Sequence, residues 1–119
     1  AMAHTLSAHY DTPHGVACAM LLPVAMEFNK PVCAERLVDV ARAMGVDVAG
    51  MSVEAAADAA IAAVRQLSAD VEIPHTCNGL VAEDLEQLAT DAMADACFPG
   101  NPREADHAQV VNLFRKVMA

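Results

Sequence analysis

Val16-Ala17-Cys18-Ala19-Met20-Leu21-Leu22-Pro23-Val24-Ala25-Met26 is the longest unbroken apolar run in the chain. It is too short for a bilayer span, which takes about 20 apolar residues. A segment apolar on every side is buried by its neighbours, so this run is expected to be a central core helix, from about Val16 to Phe28. Pro23 removes one backbone donor and is expected to kink it.

Upstream, Ala1–Ala8 is expected to be helical, and Tyr10-Asp11-Thr12-Pro13-His14-Gly15 to break that helix, because Pro and Gly punctuate helices. Downstream, Pro31 sits at the first turn of an expected third helix whose apolar stripe is Leu37, Val38, Ala41 and Met44, with Gly45 as its left-handed stop. Ser52 is placed to cap a fourth helix, with Glu54 in its first turn and Val53, Ala57, Ala60, Ile61, Val64 and Leu67 as its inner face. Val71–Leu80, holding Pro74, Asn78 and Gly79, reads as a loop. Glu83–Ala96 reads as a fifth helix, with Leu85, Leu88, Ala89, Ala92, Met93 and Ala96 inward. Phe98-Pro99-Gly100-Asn101-Pro102 breaks it, and Asp106 with Gln109 forms a capping-box pair opening the last helix, which buries Val110, Leu113, Phe114 and Val117. No segment alternates as a strand. The expected fold is all-α: five to six helices in a single domain.

Composition agrees. Aromatics are 3 % of the 119 residues, and alanine, the best helix former, is abundant. Sixteen acidic side chains against seven basic ones give a formal charge of −9, which repels phosphate backbones and argues against nucleic-acid binding. No cationic stretch followed by an apolar one opens the chain, so neither a signal peptide nor a membrane location is expected, and the cytoplasm is the expected compartment. Cys18, Cys33, Cys77 and Cys97 are irregularly spaced with no C-x-x-C, which reads as reduced thiols. The opening Ala1-Met2-Ala3-His4 fits either an initiator methionine after one added residue or a helix entered part-way.

His4, His9 and His14 crowd the start of the chain, with Asp11 among them. Their spacing alone makes no metal site: residues five apart point in different directions on a helix, and there is no H-E-x-x-H.

The whole string says more. Ala3-His4, Tyr10-Asp11-Thr12-Pro13-His14-Gly15-Val16, Leu21-Leu22-Pro23 and Met26-Glu27-Phe28-Asn29 are followed by Ala41-Arg42-Ala43-Met44-Gly45-Val46 and Asp70-Val71-Glu72-Ile73-Pro74. Asp95-Ala96-Cys97 and Gly100-Asn101-Pro102-Arg103-Glu104 complete the pattern. This set resembles the carboxy-terminal helical domain of the iron-containing alcohol dehydrogenases, nearest to the branch holding the lactaldehyde reductases and 1,3-propanediol dehydrogenases. The resemblance covers essentially the whole chain.

It implies an enzyme with an amino-terminal nucleotide-binding domain, absent from these residues, and an active site in the cleft between the two. One divalent metal, Fe²⁺ or alternatively Zn²⁺, is held by an aspartate and three histidines. His14 matches the last of these ligands. His4 matches a catalytic histidine beside metal, substrate and the nicotinamide of NAD(P), so it is also a cofactor contact. Cys97 matches a substrate-pocket position. The partners implied are a small alcohol and its aldehyde.

The departures matter. The other three metal ligands and the glycine-rich phosphate loop have no counterpart in these residues, so the chain alone is expected to hold no cofactor tightly and to be inactive. Cys18 stands where members commonly carry asparagine, Val24 where many carry histidine, His9 replaces an aromatic and Ser7 a glycine. A rival reading is a non-catalytic product of a truncated gene or a stand-alone helical interaction module, whose exposed cleft face could drive homo-oligomer formation. A weaker one is a glycerol dehydrogenase relative.

Overall fold

A computed structural model describes residues 1–118. Five helices account for the architecture: α1 (Met2–Tyr10), α2 (His14–Ala43), α3 (Val53–Asp70), α4 (Leu85–Ala94) and α5 (His107–Arg115). Short 3₁₀ turns lie at Ala82–Asp84 and Phe98–Gly100. Among the described residues the only β-type pairing is one isolated bridge between Cys77 and Met118.

Local signals set most boundaries. Asp11, in the left-handed region at φ 52°, ends α1, so the break falls at Asp11–Pro13, and His14 and Gly15 already belong to α2. Gly45 (φ 85°) stops α2, its N–H bonding the Arg42 carbonyl while that of Val46 bonds Ala41. Ser52 Oγ accepts from the Ala55 N–H, 3.1 Å, and Asp106 and Gln109 form the full capping box.

The expected boundary between a second and a third helix is absent: α2 runs 30 residues through both Pro23 and Pro31. An internal proline costs a helix about 3 kcal/mol, and packing offsets it here. Met26, Leu37 and Ala41 of α2 bury against Ala57, Ala60, Ile61 and Val64 of α3. Lys30 Nζ reaches Asp58 (2.6 Å) and Glu54 (3.2 Å), and Arg65 reaches Glu27 (2.7 Å), tying α3 along the segment that holds Pro31. No residue from 29 to 31 has positive φ, so nothing there turns the chain. The fused helix is long and apolar enough for a bilayer by length and composition, so the argument from the short run does not carry over to it. Its second half nonetheless bears Lys30, Glu35, Arg36 and Asp39.

The core has two parts. Leu6 of α1, Met20, Leu21 and Val24 of α2, Leu85 and Leu88 of α4, and Val110 and Phe114 of α5 form the larger. The α2–α3 seam, lined by alanines, forms the other. Several expected inward residues face out: Leu67 is 54 % exposed, Val53 48 % and Met44 36 %. Ala96 lies beyond the end of α4 and is exposed. The central run is also not buried all round, because Cys18 and Leu22 are exposed on one side. That open side positions the site.

Candidate active site

The exposed side of α2, the start of α1 and the Phe98–Gly100 turn enclose an apolar groove of about 320 Å³, lined among others by Ala3, Cys18, Leu22, Phe28, Cys97 and Phe98. The three residues singled out in the sequence meet beside it. His14 is the first residue of α2, fixed after the rigid Thr12-Pro13 connection. His4 lies on α1, and its ring stacks on that of His14 with centroids 5.1 Å apart and planes 17° from parallel. Cys97 is exposed in the turn after α4 and lines the groove.

Helix α1 is pinned to its surroundings by three side-chain bonds. His4 Nδ1 meets Asp95 Oδ2 at 2.8 Å, His9 Nε2 meets Asp91 Oδ2 at 2.8 Å, and the Tyr10 hydroxyl donates to Asp84 Oδ2 at 2.7 Å. His9 is therefore a brace rather than part of the groove. A carboxylate only accepts, so the hydrogen of the His4–Asp95 pair sits on Nδ1 and the lone pair of His4 on Nε2. The Cys97 N–H donates to Asp95 Oδ1 at 2.8 Å, and this bond, with the His4 contact, holds the Asp95 carboxyl below its ordinary range. The His9 contact, then the Gln87 amide, does the same for Asp91. Burial, then the Asp84 bond, pushes the Tyr10 phenol up.

Two participants escaped the sequence reading. Asp95 orients His4; its signal was the Asp-x-Cys start of a turn, where an aspartate commonly accepts from the N–H two residues on. Cys18, read from the sequence only as a reduced thiol, lies with Sγ 3.4 Å from His14 Nε2. The two are one helical turn apart on one face of α2, which a helix starting at Val16 instead of His14 conceals. The four cysteines are unpaired in the structure.

The Gly100-Asn101-Pro102-Arg103 motif has a bracing role. Asn101 and Asn29 exchange amide hydrogen bonds (2.8 and 2.9 Å), the Arg103 guanidinium lies 4.2 Å from the Phe28 ring centroid, and it donates to the Phe28 carbonyl at 2.7 Å. These bonds hold the turn carrying Cys97 against α2. As for a metal, an imidazole on an open cleft face suits Fe²⁺ or Zn²⁺, and His14 supplies one such donor.

The model of the Fe-containing alcohol dehydrogenase family, C-terminal, matches residues 1–118. Lactaldehyde reductase of Escherichia coli (strain K12) is 49 % identical over 115 residues, covering 95 % of this chain and 30 % of that protein. 1,3-propanediol dehydrogenase of Klebsiella pneumoniae is 38 % identical over 118 residues, covering 98 % and 30 %. A crystal structure of 1,3-propanediol oxidoreductase superposes with a TM-score of 0.95 at 37 % identity, covering 98 % of this chain and 31 % of that one. An alcohol dehydrogenase from Oenococcus oeni gives 0.93 at 42 % identity, covering 98 % and 31 %. The chain thus spans about 30 % of the length of the curated relatives it matches. On sequence and fold alike, the chain belongs to the Fe-containing alcohol dehydrogenase family and corresponds to its C-terminal helical part.

Proposed function

We propose that this chain forms the C-terminal helical part of an NAD(P)-dependent, metal-dependent alcohol dehydrogenase that interconverts small alcohols or diols and aldehydes by hydride transfer. The observation that carries this reading is the His4–His14 stack, with His4 tied to Asp95, at the edge of an apolar groove. When bound, a divalent cation lowers the pKa of the alcohol oxygen and the nicotinamide exchanges hydride with the carbon.

The chain's own residues do the rest. His14 offers its imidazole as one metal ligand. His4, with Nδ1 hydrogen-bonded to Asp95, presents the Nε2 lone pair to take the alcohol proton, and returns it in the reducing direction. The groove between Leu22, Phe28 and Phe98 accepts the carbon skeleton and excludes water, and Cys97 borders it. Short alcohols or diols are the proposed substrates, in line with relatives named for lactaldehyde and 1,3-propanediol.

Only His14 of the four expected ligands lies in these residues, so the 119-residue chain on its own is proposed to be inactive. The test compares it with the complete protein of which it is a part. In the complete protein, His14→Ala should strip the metal, while His4→Gln should keep the metal and lower kcat by roughly 10²- to 10⁴-fold. Full metal content and activity in His14→Ala, or robust propanediol oxidation by the chain alone, would overturn the reading.

A further inference from the structure

The groove edge holds a second set of metal-ligating groups, separate from His14. The donor atoms of His4, Asp95 and Cys97 lie within 4.8 Å of one another. We propose that His4, Asp95 and Cys97 form a binding site for a thiophilic divalent cation such as Zn²⁺, with the fourth coordination position open to the groove.

The donor set is the first argument. One imidazole nitrogen, one carboxylate oxygen and one thiolate sulfur are a zinc combination; a thiolate selects against hard Mg²⁺ and Ca²⁺. Three protein ligands leave one position free, as in zinc sites that exchange water or substrate. Preorganisation is the second. Asp95 and Cys97 come from one short turn whose shape is set by the Cys97 N–H on Asp95 Oδ1 (2.8 Å), the Phe98 N–H on the Asp95 carbonyl (3.0 Å) and the Gly100 N–H on the Cys97 carbonyl (3.2 Å). His4, from α1, already meets Asp95 Oδ2 at 2.8 Å.

Reach is the third. Zinc bond lengths place tetrahedral N, O and S donors about 3.3–3.6 Å apart, so the His4–Asp95 contact of 2.8 Å opens by about half an ångström and the exposed Cys97 side chain rotates in to complete the set. His4 shifts its hydrogen from Nδ1 to Nε2 by exchange with solvent, which frees Nδ1 to bind, the Cys97 thiol gives its proton to solvent, and the ion exchanges three hydration waters for the three ligands. Occupancy would engage the imidazole that the proposed reaction needs, so such an ion would inhibit the complete enzyme. The site's donor atoms are distinct from the His14 ligand, whose ring the His4 ring stacks against.

The experiment titrates the 119-residue chain with Co²⁺ under reducing conditions and follows thiolate-to-cobalt charge-transfer absorption, with circular dichroism reporting helix content. One ion per chain is expected, with the charge-transfer band lost in Cys97→Ser. Asp95→Asn and His4→Gln should weaken binding by roughly tenfold or more. Cys18→Ser and His14→Ala should bind as the parent chain does. As a second readout, Zn²⁺ should protect Cys97 selectively from alkylation by iodoacetamide, read by mass spectrometry. Absence of a thiolate band in the helical chain overturns the proposal. So does a band that survives Cys97→Ser and vanishes in Cys18→Ser, which would place the ion on the His14–Cys18 pair.

Discussion

Asp95 Oδ2 sits 2.8 Å from His4 Nδ1 while its other oxygen accepts the Cys97 N–H, so one carboxylate fixes both an imidazole and the turn that borders the groove. Asp95→Asn keeps the shape but presents an amide N–H to His4. To pair with it, Nδ1 must become the acceptor and Nε2 carry the hydrogen. In the complete enzyme, kcat for alcohol oxidation should fall roughly tenfold or more with metal content unchanged. The pH profile of kcat should shift, which loss of stability alone would not produce. An unchanged profile would mean that Asp95 does not position His4.

Stability should depend on pH at both extremes. Asp91 and Asp95 have folded pKa values held down, by His9 and by the Cys97 N–H respectively, so their contribution is present above the ordinary carboxylate pKa of about 4 and is lost as pH falls through the lower folded values. Tyr10 is the opposite case. Burial raises its folded pKa, so its contribution is present below the ordinary phenol value of about 10 and is lost as pH rises through the folded one. Urea midpoints across pH should fall at both ends, and Tyr10→Phe should flatten the alkaline limb only.

Glu72 closes α3 in the left-handed region at φ 63°, its N–H bonding the Ala69 carbonyl and that of Ile73 bonding Ser68. The equivalent position after α2 is Gly45. A residue with a Cβ pays about 1 kcal/mol for this conformation. Glu72→Gly should therefore raise stability by about 1 kcal/mol, read as a higher urea midpoint with the same m-value. No gain would mean that the freedom of glycine in the unfolded chain cancels the relief.

Ser7 Oγ is buried with no hydrogen-bond partner among the described residues, at a position where the resemblance leads one to expect glycine. A stranded hydroxyl costs about 1–3 kcal/mol. Ser7→Ala keeps the helix and should stabilise by about 1 kcal/mol, seen as a rise in thermal midpoint. A loss would show that the hydroxyl is satisfied in solution.

Local signals in the sequence were sufficient for the helical class, the Ser52 cap, the Asp106–Gln109 box and the Gly45 stop. Each acts through atoms within a few residues of itself, so its physics is contained in the string. The inner face of α5, and that of α4 apart from Ala96, followed for the same reason; His4, His14 and Cys97 were singled out by a family resemblance, not by any local signal. Tertiary structure decided the rest. Helix α2 crosses two prolines because α3 packs along it and binds Lys30 and Glu27, a gain that no local propensity contains. Asp95 became a partner of His4 only when α1 and the turn after α4 were brought together, whereas Cys18 neighbours His14 through the helical turn they share, hidden only by the expected start at Val16. The sequence separates His4 from Asp95 by 91 positions; folding alone reduced that to a hydrogen bond.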